Sequence, residues 1–487
     1  MGPEYSEPAN TLSIESVVME LLSKGVLIQP EALEYLKTRP HLLQTLDIPS
    51  IGGSLTLQKL QETEDAGGSL PVLNDEGVRI LEEYVEKFDM KGELSDFVKH
   101  FSDRYATLSG MLRTRPELKN LCSIGRLSSI KEREDVSVIG LVGAKRETRA
   151  GHYLIEVEDT TGQAKVLLPK NSPVSRKADE IVDDEVIAIS GTASRELLFA
   201  EEVIFPDVPQ ATEWPGRSKN VAVMISDVHI GSKQFRADLF ENMITWINSS
   251  DPVARRAKYL IVAGDIVDGV GVYKGQQKDL AIANIVKQYD FFSSFIDRIS
   301  KRIQIFVAPG NHDASRDSDP QPAIPREFAQ TIYDLPNVRM ISSPATIQID
   351  GITFLIYHGT ALDSIIASIS SLRRTGYDNP HQAMIQQLRK RHLIPIYNDL
   401  SRMFPDSKDE MIISKVPNVF HSGHVHKLSF STYRGIRVVN SGTFQDRTAF
   451  QVKIGHHPQP GKIPYIELGT GAINLLDLEP QHGTEGS

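Results

Sequence analysis

The sequence predicts an α/β domain preceded by a small β-barrel and a short helical segment, and three patterns lead to this fold class. From about residue 218 onwards, apolar strands that end in polar residues alternate with helical stretches. Such continuous apolar strands indicate a sheet that is buried on both faces. Short strands separated by turn residues fill 118–212, and apolar residues at helical spacing occupy 12–48. With 40% hydrophobic and 24% charged residues among 487, the chain has a globular composition, which excludes a collagen, a coiled coil or a mostly disordered chain.

The charge balance and the cysteine content narrow the possible functions. Lys and Arg number 53 and Asp and Glu number 63, so the formal charge of −10 excludes a globally basic protein that coats nucleic acid. This negative formal charge is compatible with local basic patches and with carboxylates whose charge is offset by metal ions. Cys122 is the single cysteine, which excludes an internal disulfide and a cysteine-based zinc site and fits a reducing cytosol. The sequence has no run of about 18 apolar residues and no signal pattern in 1–10, so we expect a cytoplasmic protein without a membrane contact.

The N-terminal part is predicted to divide into a small helical domain at 1–50 and a flexible linker at 51–90. Apolar residues from Ile14 to Leu22 recur at the spacing of one helix face. Glycine pairs and the polar run 61–65 then break this pattern, as in a flexible linker. We expect the helical domain to move independently of the rest of the chain.

Residues 91–215 are predicted to form a helical lead-in followed by a β-barrel. The helical pattern covers about 92–114, and several short strand-like segments separated by turns come after it. The order of these strands resembles an OB-fold. Single-strand binding is one function of such a barrel, but few aromatic residues are available for base stacking, which favours a structural or partner-docking barrel.

Polar side chains follow five apolar segments in the predicted α/β domain, residues 216–487. Loops at the carboxyl ends of strands are where open α/β folds place their sites, so we expect these side chains at one rim. In extended chain, residues i and i+2 point the same way, so an Asp-x-His or a His-x-His pair can reach one cluster. Flanking glycines permit close approach of the backbone. The five segments are Asp227-Val-His229, Gly264-Asp265, Gly310-Asn-His-Asp313, His358-Gly359 and Gly423-His-Val-His426.

The residue types in these segments suit a pair of divalent metal ions. One Asp-x-His alone is commonly an ordinary loop, but five such segments in this order are not expected by chance. Mixed carboxylate and imidazole ligation favours Mn²⁺, Fe²⁺ or Zn²⁺ over Mg²⁺ or Ca²⁺. The oxygen donors are Asp227, Asp265 and Asn311, and the imidazole donors are His229, His358, His424 and His426.

The five segments resemble those of the calcineurin-like metallophosphoesterase superfamily over about residues 218–450. The resemblance implies a two-sheet sandwich flanked by helices, and hydrolysis in which two metal ions activate a water for attack on phosphorus. It also implies that His312 assists the transition state without binding a metal, and that Asp313 orients His312. The implied ligands are Asp227, His229 and His426 for the first metal, Asn311, His358 and His424 for the second, and Asp265 as the bridge.

Features around the motifs resemble the small subunits of archaeal family D DNA polymerase over most of 90–470. These features are the extended segments 264–273 and 309–314, the basic stretch 389–397 and the barrel ahead of the phosphoesterase part. The resemblance implies the 3′→5′ proofreading exonuclease subunit of a heterodimeric replicative polymerase. Its partners would be a large catalytic subunit and a single-stranded or frayed 3′ end of DNA. Its cofactors would be two divalent metal ions, Mn²⁺ first and Fe²⁺ or Zn²⁺ as alternatives.

The intact ligand set favours an active enzyme. The related non-catalytic accessory subunits of eukaryotic replicative polymerases have lost these ligands, whereas every expected ligand is present in this chain. An accessory scaffold subunit with little catalysis is therefore the weaker alternative. A free-standing repair nuclease of the same superfamily is disfavoured by the long segment that precedes residue 216. A small-molecule phosphatase is the third alternative.

Basic residues near the predicted site are candidates for contacts with the DNA backbone. Alternatively, these basic residues lie on a solvated helix face or at a subunit interface. The candidates are Arg373, Arg374, Arg389, Lys390 and Arg391. The segment Gln288–Phe295 loosely resembles a box that binds the sliding clamp, although it lies in a predicted core helix.

Overall fold

The computed structural model describes residues 27–29, 32–33, 54–56, 77–86, 92–194, 197–398, 400–454 and 456–479. The chain divides into two compact units, 1–76 and 77–487. In the first unit, strand β1 (Leu27–Ile28) pairs in parallel with strand β2 (Ser54–Leu55). Most of the predicted helical domain and most of the predicted linker lie outside the described residues, although β1 is a strand within the part predicted to be helical.

The second unit opens with a strand, a long helix and a closed barrel. Strand β3 (Val78–Glu83) and helix α1 (Leu94–Arg113) come first. The barrel strands are β4 (Glu134–Glu147), β5 (Tyr153–Asp159), β6 (Gly162–Leu168), β7 (Val186–Ser194) and β8 (Leu197–Ile204). Their order, β4-β5-β6-β8-β7, closes on itself and confirms the OB-fold-like barrel. Leu108 and Leu112 of α1 pack against Ile139 and Ala188, so the helix is docked on the barrel.

The remainder of the second unit forms two six-stranded sheets with flanking helices. In chain order its elements are β9 (Val221–Ile225), α2 (Ala237–Ile247), β10 (Ala257–Ala263), α3 (Ile285–Ile296), β11 (Gln304–Ala308), α4 (Arg326–Tyr333), β12 (Val338–Met340), β13 (Ala345–Ile349), β14 (Ile352–Ile356), α5 (Leu362–Ser368), α6 (His381–Lys390), β15 (Val419–Ser422), β16 (Ser429–Tyr433), β17 (Ile436–Asn440), α7 (Ala449–Ile454), β18 (Lys462–Glu467) and β19 (Ile473–Asp477). The first sheet has the order β12-β11-β10-β9-β18-β19 and the second has the order β16-β17-β15-β14-β13-β3.

The two sheets pack face to face. Met224 and Ile261 of the first sheet share one buried core with Ile347 and Phe354 of the second. Helices α2, α3 and α4 cover the outer face of the first sheet, and α5 and α6 cover that of the second. This is the predicted two-sheet sandwich flanked by helices. Within the described residues, no helix combines the length and the apolar composition that crossing a membrane requires.

Part of the predicted linker is wrong, because β3 belongs to the sandwich. It pairs antiparallel with β13, and Val78 and Ile80 pack against the core between the sheets. The strand is only 6 residues long, and apolar and polar residues alternate only over Val78–Ile80, so its sequence signal is weak. The barrel ends with β8 and the sandwich begins with β9, on either side of the boundary expected at 215/216.

The interpretation of Gln288–Phe295 as a clamp-binding box is wrong for the folded chain. Gln288 and Phe292 are fully buried in α3. The Gln288 amide donates to the carbonyl oxygens of Gly269 and Ile282, at 3.1 and 2.7 Å. Asp290 and Phe291 of the segment are exposed, but the buried Gln288 and Phe292 are not available to another protein.

Candidate metal centre

The carboxyl ends of five strands from both sheets meet at one rim of the sandwich. Asp227 and His229 follow β9, Asp265 follows β10 and Asn311 follows β11 in the first sheet. The second sheet adds His358 after β14, and His424 with His426 after β15. The rim therefore gathers the seven predicted ligands, although they span 200 residues of sequence.

Most of the predicted ligands at this rim share a strained backbone conformation with positive φ. Five of the seven residues have φ between 51° and 72°, a region that L-residues seldom adopt. The loops after β9 and β10 hold each other in place, because the Asp227 N–H donates to the Gly264 carbonyl oxygen and the His229 N–H to that of Asp265, both at 3.0 Å. Such outliers persist only where surrounding contacts fix them, and they concentrate at functional sites. The five are Asp227, His229, Asp265, His424 and His426.

The first predicted ligand set is compact and buried. His229 Nε2 lies 2.9 Å from His426 Nε2, and His426 Nε2 lies 3.4 Å from Asp227 Oδ1. The distance from His229 Nε2 to Asp227 Oδ1 is 4.0 Å. Ligands bonded to one ion at about 2.0–2.2 Å lie roughly 3–3.5 Å from each other, so this spacing suits a shared ion.

The second predicted set adjoins the first through Asp265. The Oδ2 atom of Asp265 lies 3.7 Å from His229 Nε2 and 3.3 Å from His358 Nε2. Asn311 Oδ1 lies 3.0 Å from both His358 Nε2 and His424 Nδ1. Asp265 is therefore placed between the two sets, as the bridging role requires.

The charges of the cluster fit a divalent cation. Asp227 and Asp265 are buried, and among the described residues only histidines, and no Lys or Arg, lie within ion-pair distance of them. Buried carboxylates of this kind require a compensating charge. Carboxylate, amide and imidazole donors together match Mn²⁺, Fe²⁺ or Zn²⁺.

Contacts inside the cluster shift the ionisation of its members. Burial raises the pKa of the Asp265 carboxyl, but the His358 and His312 imidazoles outweigh burial and hold that pKa well below its usual range. Burial lowers the pKa of His358, but Asp265 outweighs it and raises that pKa to about 10. His358 Nδ1–H donates to the Ala263 carbonyl oxygen at 2.7 Å, which leaves Nε2 for the cluster. The Asp265 carboxylate thus holds positive charge on the neighbouring His358 imidazole, a charge that a bound metal ion would replace.

Three side chains that we did not predict orient the imidazoles from outside. Asp268 Oδ1 lies 3.3 Å from His229 Nδ1, Asp363 Oδ2 lies 3.1 Å from His424 Nε2, and Gln451 Nε2 lies 3.0 Å from His426 Nδ1. Partners of this kind fix the ring orientation of ligating histidines. Asp268 stands in the extended motif 264–273, a signal that was available. Asp363 and Gln451 carry no sequence signal, because only the fold brings α5 and α7 to the rim.

His312 lies at the floor of a cleft beside the cluster. Its backbone N–H donates to Asp265 Oδ1 at 2.8 Å, and its ring stands edge-on to that of His229 with 4.7 Å between the centroids. Nδ1 lies 2.8 Å from the carbonyl oxygen of Asp268, so Nδ1–H donates to that oxygen. Burial lowers the pKa of His312. Nε2 is the ring nitrogen that this hydrogen bond leaves unengaged.

The expectation that Asp313 orients His312 is wrong. The Asp313 carboxylate instead accepts hydrogen bonds from the Gly310 N–H at 2.8 Å and from the Tyr289 hydroxyl at 3.2 Å. Burial, with the nearby charge of Asp265, raises the pKa of Asp313 to about 7. Asp313 therefore shapes the loop that carries Asn311 and His312, and the Asp268 carbonyl orients the His312 ring.

Three of the five predicted DNA contacts are also wrong. Lys390 is buried, and its Nζ lies 2.8 Å from Glu185 Oε2 of the barrel. Arg389 pairs with Glu180 at 2.7 Å, and Arg391 is buried and donates to backbone carbonyl oxygens. These cations join α6 to the barrel and to neighbouring loops instead of facing solvent.

Arg373 and Arg374 stay candidates for DNA contacts. Both are exposed in the turn between α5 and α6. Arg373 Nε donates at 2.7 Å to the carbonyl oxygen of Ala367, a residue that lines the cleft.

The cleft above the cluster of predicted ligands has a volume of about 620 Å³. Its floor includes His229, Asp265, Asn311 and His312. This volume lies within the range of about 300–1,000 Å³ that is common for small-molecule and cofactor sites. The ligand cluster is therefore open to a substrate from one side.

Comparison with known proteins identifies the family. The family model for the B subunits of DNA polymerases alpha and epsilon matches residues 222–431. The DNA polymerase II small subunit of Pyrococcus furiosus is 36% identical over 477 residues, which cover 95% of this chain and 76% of that protein. This chain belongs to the archaeal DNA polymerase II small subunits, the small subunits of family D. The small-subunit resemblance predicted from the motifs is confirmed.

Two other relatives of the small subunit match it comparably. The Methanothermobacter thermautotrophicus protein is 37% identical over 418 residues, 84% of each chain. The Halobacterium salinarum protein is 40% identical over 387 residues, 79% of this chain and 75% of its own. A solved archaeal phosphodiesterase aligns with 53% of the small subunit and 98% of its own length, at 14% identity and a TM-score of 0.27. The fold assignment rests on the strand order of the small subunit itself.

Proposed function

We propose that this small subunit is a 3′→5′ exonuclease that removes nucleotides from single-stranded or frayed DNA ends and so proofreads for its polymerase. One observation carries the proposal. Seven donor side chains from five strand ends converge beside an open cleft that five of them line, and among the described residues no Lys or Arg neutralises the two central carboxylates. A scaffold subunit has no need of a strained cluster of potential metal ligands beside an open cleft.

The predicted ligands at the rim would have different roles in phosphodiester hydrolysis. The first ion would be held by Asp227, His229 and His426, and the second by Asn311, His358 and His424, with Asp265 shared. Two divalent ions at such a site supply positive charge to the phosphoryl oxygens and lower the pKa of a bound water. Mn²⁺ is the expected ion, with Fe²⁺ or Zn²⁺ as alternatives.

His312 has a separate part in the reaction. Its Nδ1 is engaged by the Asp268 carbonyl, so the ring is held with Nε2 available at the cleft floor. In the imidazolium form, which carries a proton on each ring nitrogen, Nε2–H would stabilise charge on the phosphoryl oxygens or pass its proton to the leaving 3′-oxygen. Because Asp265 binds the His312 backbone N–H, the ring keeps a fixed place relative to the ligand cluster.

The partner of the small subunit is a large catalytic polymerase subunit. An exposed apolar face on α1 supports this part of the proposal, since Leu94 is 81% and Val98 is 59% exposed. Both residues border a groove of about 580 Å³ between α1 and the barrel. Replacing both by Glu is expected to abolish co-elution of the two subunits, whereas Val286→Glu on α3, also at an exposed valine, should leave it intact. Normal co-elution of the double variant would place the interface elsewhere.

The decisive assay for the proposal uses a single-stranded oligonucleotide labelled at its 5′ end. With Mn²⁺ we expect a ladder of products shortened from the 3′ end, and no products with a chelator. Asp265→Ala should show no hydrolysis, and Asp297→Ala, at an exposed carboxylate, should match the wild type. Hydrolysis of p-nitrophenyl phosphate without DNA degradation would favour the small-molecule phosphatase. No hydrolysis with Mn²⁺, Fe²⁺ or Zn²⁺ would favour the scaffold.

A further inference from the structure

The walls of the cleft carry exposed apolar side chains beside the ionisable groups of its floor. Tyr273 and Val272 line it from the loop after β10, and they are 40% and 39% exposed. Leu400, 56% exposed, lines it from a loop after α6. Single exposed apolar residues need no explanation, but several around one cleft mark a surface that contacts a ligand.

Aromatic rings in these walls are held rigidly. The Tyr273 hydroxyl donates to Asp279 Oδ2 at 3.1 Å, and the Tyr377 hydroxyl donates to Asp363 Oδ1 at 2.9 Å. The Tyr377 ring packs on the His456 ring with 4.2 Å between centroids, and both line the cleft. Because both hydroxyls are engaged by carboxylates, the rings offer the cleft their faces and edges instead of a hydrogen-bonding group.

The Tyr377 ring is also connected through Asp363 to the cluster of predicted ligands. Asp363 accepts from Tyr377 through Oδ1 and faces His424 Nε2 through Oδ2, at 3.1 Å. A ligand packed on the Tyr377–His456 pair is therefore placed one residue away from an expected metal ligand. The spacing suits a nucleotide, whose base lies next to the phosphate that reacts.

We propose that these walls form a binding subsite for the unpaired nucleobase at the 3′ end of DNA, with Tyr273 and the Tyr377–His456 pair as stacking surfaces. The inference rests on the proposed nuclease function and adds how the site selects its substrate. Aromatic faces stack on any base, so the subsite is indifferent to sequence. It requires the terminal base to leave its own stack, which is least costly for a mismatched or single-stranded end. The cleft thereby distinguishes an incorrect end from a paired one.

Binding without catalysis gives the first test. An oligonucleotide with 2-aminopurine at its 3′ terminus is titrated with the full chain in the presence of a chelator, and the fluorescence is followed. We expect stacking to quench the wild-type signal. Tyr273→Ala should weaken this binding about 5–140-fold, which is about 1–3 kcal/mol per stacked base at tenfold per 1.4 kcal/mol.

Two control variants separate the ring from the fold. Tyr273→Phe keeps the ring and should retain the quenching. Tyr397→Ala removes a tyrosine of similar exposure, 44%, that lies outside the cleft and contacts Phe97, and it should also bind like the wild type. Equal quenching by the wild type and Tyr273→Ala would overturn the assignment of Tyr273, and no quenching by the wild type would overturn the subsite.

A kinetic comparison distinguishes failure of the subsite from failure of the proposed function. With Mn²⁺, the wild type should cleave an ordinary 3′ end with a kcat/KM about 5–140-fold higher than an end whose last nucleotide lacks its base. In Tyr273→Ala this ratio should fall towards one. Equal rates on both ends by the wild type would overturn the subsite and leave the nuclease intact. If neither end is cleaved, both the proposed function and the inference built on it fail.

Discussion

Two buried clusters of aspartate and histidine in this chain have opposite designs. In one, Asp409 Oδ2 lies 2.7 Å from Arg104 Nε, 2.8 Å from His392 Nε2 and 3.1 Å from His100 Nε2, all of them buried. In the other, the rim ligands surround Asp227 and Asp265 without an arginine or lysine within ion-pair distance among the described residues. The first cluster is closed by α1, and the second lies open to a cleft of about 620 Å³.

The comparison shows that residue types and shifted pKa values do not by themselves mark a functional site. The histidine and arginine neighbours of Asp409 outweigh burial and hold its pKa well below the usual range, and burial with Arg104 lowers the pKa of His392 to about 4. The pKa of Asp265 is likewise held well below the usual range. What differs is the source of the positive charge, which is a buried arginine at Asp409 and, among the described residues, only imidazoles at the rim. Structural ion-pair networks perturb pKa values just as active sites do.

The largest expected effect separates catalysis from metal binding within the open cluster. His312→Ala should lower kcat on single-stranded DNA by about 10²–10⁴-fold, because the ring acts in the transition state and seven other residues supply the ligands. The metal content and the DNA affinity of the variant should equal those of the wild type. Loss of metals by elemental analysis would make His312 a ligand, and a wild-type rate would assign its role to water or to another residue.

The closed cluster is tested by removing its negative charge. Asp409→Asn leaves the buried Arg104 guanidinium without its counter-charge, so we expect the free energy of unfolding at pH 7 to fall by about 3–5 kcal/mol. The matched control is Glu241→Gln, which breaks an exposed pair with Arg298 and should cost less than about 1 kcal/mol. Denaturant unfolding measures both. Equal losses in the two variants would mean that the closed cluster contributes no more than a surface pair.

The pH dependence of that difference has a definite sign. The pKa of Asp409 is lower in the folded chain than its ordinary value near 3.9, so its stabilising contribution is complete above that value. It is lost as the pH falls through the folded pKa. The gap in unfolding free energy between the wild type and Asp409→Asn should therefore stay constant from about pH 7 to 5 and narrow below about pH 4. A gap that widens on acidification would contradict this assignment.

The smallest expected effect concerns the partners of the rim histidines. Asp268→Asn should weaken Mn²⁺ binding about 10–100-fold, because Asp268 faces Nδ1 of His229 and fixes the ring that presents Nε2. Asp290→Asn, at an exposed carboxylate on α3, serves as the control. Calorimetric titration of metal-free protein with Mn²⁺ gives both affinities. An unchanged affinity in Asp268→Asn would remove Asp268 from the positioning of His229.

The sequence predicts the ligands at the rim better than the tertiary contacts of the surrounding fold, and particular residues show why. The predicted ligands stand at strand ends in short segments with glycine neighbours, so local spacing brings out Asp227, Asp265 and His426 together. Lys390 gives no such signal, because its partner Glu185 is 205 residues away and burial is decided only by the docking of α6 on the barrel. Strand β3 likewise belongs to the sandwich only because it pairs with β13, which lies far away in the sequence. The positive charges at 389–391 therefore suggested DNA contacts, whereas in the fold these residues join α6 to the barrel and to neighbouring loops.

Metal stoichiometry tests the central claim most directly, that the open cluster and not the closed one binds two ions. Metal-free protein is titrated with Mn²⁺ and followed by electron paramagnetic resonance and elemental analysis. We predict two bound ions per chain with an exchange-coupled spectrum, because Asp265 lies between the two ligand sets. Asp265→Ala should lose the coupled spectrum, and Asp409→Asn should keep two ions. A wild type that binds one ion, or two uncoupled ions, would contradict the two-metal account.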